Sequence, residues 1–166
     1  MKRVWVLLTL TAPMLVWAAS SPDETFYKRA AEGGIFEVDA GKLAQDKGNS
    51  QQVKDFGAMM VKDHSAANEK LKALAAAKNI DLPTSASVSQ MATKAKLDVL
   101  SGNTFDESYI KSQVRAHRAT IALFRKEIDS GQDADAKAFA SATLPTVRTH
   151  LKAIDAIAAD AGVSTK

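Results

Sequence analysis

The chain has 166 residues, 46% of them hydrophobic and 25% charged, with 22 Lys+Arg against 19 Asp+Glu and no cysteine. That length suits one domain around one core. The lack of cysteine excludes a disulfide framework, a thiolate metal site, a thiol nucleophile and a lipidated N-terminal cysteine.

Residues 1–18 read as a secretory signal peptide. Lys2 and Arg3 open it, Val4 to Val16 is apolar apart from Thr9 and Thr11, and Val16-Trp17-Ala18 suits a signal peptidase. An uncleaved anchor is the alternative, but the apolar run is shorter than the ~20 residues a membrane helix needs, and Pro13 interrupts it. Cleavage after Ala18 leaves residues 19–166 as the mature domain, periplasmic or secreted, with no stable membrane insertion. Lys+Arg then falls from 22 to 20 against 19 Asp+Glu, and the net charge falls from +3 to +1. The basic balance therefore gives no support to nucleic-acid binding.

Five helical segments follow. Ser21-Pro22-Asp23-Glu24 combines an N-cap serine, a first-turn proline and a capping-box glutamate. That helix runs to about Lys47, where Gly48 stops it. Asn49-Ser50-Gln51-Gln52 opens the second, whose apolar seam is Val53, Phe56, Met60, His64, Ala67, Leu71 and Leu74. Asn79 to Pro83 closes it. A weaker third segment covers roughly Ser87 to Leu100. Thr104-Phe105-Asp106-Glu107 is a capping box that starts the fourth helix, with its seam along Tyr109/Ile110, Gln113, His117, Thr120/Ile121, Phe124 and Ile128. Gly131 ends it. The fifth runs from about Asp133 to Asp160 along Phe139, Thr143, Thr146/Val147, His150, Ile154 and Ile157. Pro145 inside it removes a hydrogen bond and predicts a kink.

Two short-turn hairpins and no strand signal predict an all-α four-helix bundle. The connection between the hairpins includes the third segment. Its helical part spans about 22 Å and the rest extends about 30 Å more, enough to return along a bundle of about 42 Å. A long helix-containing crossover of this kind is the ferritin-like arrangement.

All three histidines of the chain, His64, His117 and His150, fall on seams of different helices. Counting 1.5 Å per residue puts them about 24, 21 and 28 Å from their hairpin turns, all near mid-bundle. Glu37, flanked at helical spacing by Gly33, Gly34, Ala40 and Gly41, is the preferred carboxylate partner. Glu32 is the rival, but it borders Lys28 and Arg29 on the solvated side. Three imidazoles and a carboxylate suit a single zinc, copper(II) or iron ion. The competing reading makes each histidine a core residue hydrogen-bonded across the bundle. Asp63 points about 100° from His64 and is expected to meet a neighbouring helix or solvent. Asp106 is expected to serve the dipole of its own helix, and Tyr109 and Gln113 to hydrogen-bond toward the centre.

The segments Ala31-Glu32-Gly33-Gly34 through Glu37, Phe56-Gly57-Ala58-Met59-Met60-Val61-Lys62-Asp63-His64, Phe105-Asp106-Glu107-Ser108-Tyr109 through His117, and Thr143-Leu144-Pro145 through His150 resemble a bacterial exported family. It is known as domain of unknown function 4142, and the likeness covers about residues 24 to 160. The resemblance implies a ferritin-like four-helix fold, supports the positions Glu37, His64, His117 and His150, and supplies no activity. One departure from ferritin-like oxidases matters. Those use Glu-x-x-His on two helices, whereas the residue three before each histidine here is Val61, Val114 or Val147. A two-iron carboxylate centre is therefore not expected.

The leading expectation is an exported, non-enzymatic bundle binding one transition-metal ion. The alternative is an envelope stress or adaptor protein whose polar core sets helix register. A metal-dependent oxidoreductase comes third, and no catalytic residue is assigned. Protein partners and oligomeric state have no signal in the sequence.

Overall fold

The computed structural model describes residues 21–165. The expected signal peptide, residues 1–18, lies outside them. Five helices follow one another: α1 (Pro22–Lys47), α2 (Gln51–Ala77), α3 (Val88–Asp98), α4 (Gly102–Ser130) and α5 (Ala134–Asp160). No strand occurs among the described residues.

Local chemistry sets most boundaries. Ser21 Oγ accepts from Glu24 N at 3.0 Å to open α1, and Ser50 Oγ accepts from Val53 N at 3.3 Å to open α2. Asn79 takes a left-handed φ of 56° just past the end of α2. Asp133 accepts from Asp135 N and Ala136 N to start α5. Three boundaries differ from the sequence expectation. The weak third segment is shorter at both ends, and α4 begins at Gly102 rather than at the Thr104 capping box. Gly102 adopts φ +56°, which its missing side chain makes inexpensive. The helix continues through Pro145, where the proline and Ser141 are both exposed, so water can satisfy the Ser141 carbonyl.

Contacts across the helices define the order around the bundle. α1 packs on α2 and α4, and α5 packs on α4 and α2. Both hairpins are antiparallel, and the α1–α2 turn sits at the same end as the start of α4. Asp106 there accepts from Asn49 N and Ser50 N, both at 2.8 Å. This corrects the expectation that Asp106 serves its own helix dipole: its carboxylate fastens the opposite hairpin's turn. At the other end Asp23 accepts from Gln132 N at 2.7 Å and Asp133 N at 3.2 Å, fastening the α4–α5 turn to α1. The crossover must therefore return the full length of the bundle, and α3 lies against α1 and α4 as it does so.

The interior is divided. One apolar cluster, including Ala44, Val53, Phe56, Phe105, Tyr109 and Ile154, fills the end near the α1–α2 turn. A second, including Phe26, Leu71, Phe124, Phe139 and Val147, fills the other. Beside the first cluster α1 and α2 approach closely enough that a Cβ on Gly57 would lie 2.6 Å from Gly41 O, and one on Gly41 2.7 Å from Gly57 O. Only glycine permits that contact. The polar residues of mid-bundle lie between the two clusters.

Candidate metal centre

His64 on α2, His117 on α4 and His150 on α5 are all buried, at 9%, 1% and 2% exposure. One ring nitrogen from each falls within 4.8 Å of the other two. The ring centroids are 5.4–5.9 Å apart, and Phe56 packs edge-on against His117 and His150 as an apolar floor. A tetrahedral ion holds imidazole nitrogens at about 2.0–2.1 Å, which puts them roughly 3.3–3.4 Å apart. Each ring would have to move inward by less than about 1 Å, within the reach of small side-chain rotations.

Hydrogen bonds select the tautomers of two rings. His117 Nδ1 lies 2.9 Å from Gln113 O. A carbonyl only accepts, so Nδ1 carries the proton and Nε2 keeps its lone pair. His150 Nε2 donates to Asp63 Oδ2 at 2.9 Å, which leaves the lone pair on Nδ1. His117 Nε2 and His150 Nδ1 are buried without a hydrogen-bond partner, and so is His64 Nε2. Carboxylate and carbonyl partners of this kind orient metal-binding imidazoles and raise their basicity.

Burial favours the neutral, metal-binding form at two of the rings, His64 and His150. The His64 pKa is pushed down to about 3, first by desolvation and then by His117 and His150. His150 is also lowered by desolvation, against the opposing pull of Asp63. A neutral imidazole is the ligating form.

Glu37 is buried at 3% exposure, but its carboxylate is not in the group of converging ligand atoms. Its Oε1 lies 3.7 Å from His117 Nδ1, the nitrogen already facing Gln113 O. The sequence expectation of Glu37 as a fourth ligand thus meets a different geometry, with the carboxylate behind His117. Desolvation raises its pKa, while the nearby His117 and Gln113 act the other way. Tyr109, pushed well above its ordinary value by burial and by the Glu37 charge, sits in the same polar layer. Tyr109 and Gln113 are fully buried, yet the Tyr109 hydroxyl and both Gln113 amide atoms lack partners.

Asp63 meets the neighbouring helix α5, as its position predicts. Two residues were not singled out from the sequence. Asn68 follows His64 by four residues, and a Cβ on Gly34 would lie 1.8 Å from its Oδ1, so its amide covers the bare backbone of α1. Spacing to His64 together with a small residue on the facing helix was the available signal. Glu127, buried at 4% exposure with Oε1 unpartnered, lies far from the histidines near Asp23 and Gly131. Its pKa is raised to about 7 by burial and by the Asp23 carboxylate.

The chain belongs to the family described as Domain of unknown function (DUF4142), whose model matches residues 11–157. Solved structures share the fold. A DUF305 protein from Streptomyces coelicolor, named as a candidate secreted protein, superposes with a TM-score of 0.74 at 15% identity, over 90% of this chain and 99% of that one. A DUF305 fragment from Deinococcus radiodurans gives 0.73 at 12% identity, over 84% and 96%. CopM in its Cu(I)-bound form gives 0.69 at 11% identity, over 83% and 96%. At such identities the likeness is one of fold. No curated protein matches the chain in sequence.

Proposed function

We propose that this is an exported, non-enzymatic helical-bundle protein that binds one transition-metal ion at mid-bundle through His64, His117 and His150, with the Glu37 carboxyl group buried beside His117. The observation that carries this reading is the gathering of three buried ring nitrogens within 4.8 Å. An unpartnered buried nitrogen on each of the three rings supports it, because buried polar atoms normally find partners. The all-nitrogen set suits zinc, copper(II) or iron, and is harder than the donors copper(I) prefers. The Cu(I)-bound neighbour supports only the point that a bundle of this shape accommodates a metal. Export rests on residues 1–18. Among the described residues no helix is long and apolar enough to cross a membrane.

A second reading is favoured by the His150–Asp63 hydrogen bond, which a purely structural histidine would also make. In that case the polar layer sets the helix register of an envelope adaptor. Titration of metal-free mature chain with zinc and with copper separates the two. The metal reading expects one ion bound per chain, and a variant with all three histidines changed to alanine should not bind it. Equal affinity in both proteins would sink it. A stability change without any metal binding would select the structural reading.

A further inference from the structure

Three protein nitrogens leave a zinc or copper(II) ion at least one coordination position short of four. A small cavity of about 30 Å³ adjoins His64, walled by Gly33, Gly34, Asn68, Thr120 and Thr143. Outside it, a groove of about 740 Å³ runs between α1, α3 and α4. The two spaces share Arg29, Gly33, Thr120 and Leu123 in their walls. Gly33 and Arg29 are the α1 residues common to both, and a Cβ on Gly33 would find its nearest atom, Gln90 Nε2 in the groove wall, only at 4.0 Å. A longer side chain at Gly33 would extend into the mouth of the groove beside the smaller cavity.

We infer, building on the metal reading above, that the bound ion keeps an exchangeable position facing the His64 cavity, and that water or a small monodentate anion reaches it from the α1–α3–α4 groove through the gap at Gly33. Size limits the ligand. A water needs about 10–15 Å³ of such volume, so the cavity holds one or two waters or an anion of two or three atoms, and excludes organic substrates. Chemistry narrows it further. Arg29 is exposed at the connection and favours negative charge, while the Asn68 amide beside the cavity can donate to a bound anion. The anion exchanges with water as a Lewis base on the ion, and no electron transfer is involved.

The test uses the mature chain loaded with copper(II) and azide as the probe. Azide should produce a charge-transfer absorption and a changed electron paramagnetic resonance spectrum. Gly33→Leu and, from the facing wall, Thr120→Leu should each slow azide association by about tenfold or more. Gly33→Ala should stay within about twofold of the unmodified chain. Circular dichroism and copper stoichiometry, measured on the same samples, show that the variants fold and load. Histidine-dependent copper binding with no spectral response to azide overturns the inference and leaves the metal reading standing. Azide binding at unchanged rates in both leucine variants overturns the route. Copper binding that survives loss of all three histidines overturns the metal reading itself.

Discussion

The ends of the bundle and its middle treat polar groups in opposite ways. At one end Asp106 receives two backbone N–H groups from the α1–α2 turn, and at the other Asp23 receives two from the α4–α5 turn. Both carboxylates are spent on fastening the hairpin to which they do not belong. In the middle, ring nitrogens of three histidines, Glu37 Oε2, the Tyr109 hydroxyl and the Gln113 amide are buried and left without partners. Polar groups that close on the chain's own backbone hold a fold together. Polar groups that converge on one another across four helices are what the metal reading rests on. Two groups at the Asp23 end are exceptions: Glu127, a buried carboxyl facing Asp23 with one oxygen unpartnered, and the buried Tyr27 hydroxyl.

The contrast can be broken most directly at His117. Changing it to alanine removes one of three nitrogens, and metal affinity measured by competitive titration should fall by more than about 100-fold, beyond the loss typical of an outer partner. An unchanged affinity would place the metal elsewhere. At the end of the bundle, Asp106→Ala leaves Asn49 N and Ser50 N without their charged acceptor. Thermal or urea unfolding should show a loss of about 2–4 kcal/mol with metal affinity little changed. If metal binding falls as much as stability, the ends and the middle are not separable. Asp63→Ala should cost about 10–100-fold in metal affinity, because His150 loses the partner that fixes its tautomer. Restoring affinity with Asp63→Glu would confirm that orientation is the cause.

The last comparison is in pH, and here the two regions have opposite signs. His64 has a pKa of about 3 in the fold against 6.5 unfolded, so its contribution is fully present above about pH 6.5 and is lost as the pH falls toward 3. Glu127 has a pKa of about 7 in the fold against 4.5 unfolded, so its contribution is present below about pH 4.5 and is lost as the pH rises through 7. Each slope is at most about 1.4 kcal/mol per pH unit. For the metal-free chain, Glu127→Gln should remove a loss of stability between pH 4.5 and 7, and His64→Gln a gain between pH 3 and 6.5. Denaturant unfolding at several pH values checks both, and parallel curves for a variant and the unmodified chain would show that its residue does not titrate as described.

Much of the candidate site was legible in the sequence because it depends on periodicity. His64, His117 and His150 recur with their apolar neighbours at steps of three and four, which places each on a buried face before any partner is known. Asp63 was legible by the same rule, one residue and about 100° from His64. Glu37 was legible as buried, since only small residues surround it, but not as the neighbour of His117 Nδ1. Glu127 was missed because nothing in its own helix distinguishes it from a solvated polar residue, and Asn68 because its spacing to His64 gains meaning only beside Gly34 of the facing helix.

By itself the sequence determined most of the helix ends, those of α3 and the start of α4 apart, and which faces are apolar. Caps, glycine stops and side-chain spacing act within a turn or two of one helix, so they are written locally. Tertiary structure alone decided how far each helix is rotated and shifted against its neighbours. A rotation of one residue is 100° and a shift of one residue 1.5 Å, and these are set by contacts such as Gly41 against Gly57. Those offsets put three nitrogens within 4.8 Å of one another and the carboxylate of Glu37 behind His117. They also turn Asp106 and Asp23 toward the opposite hairpins.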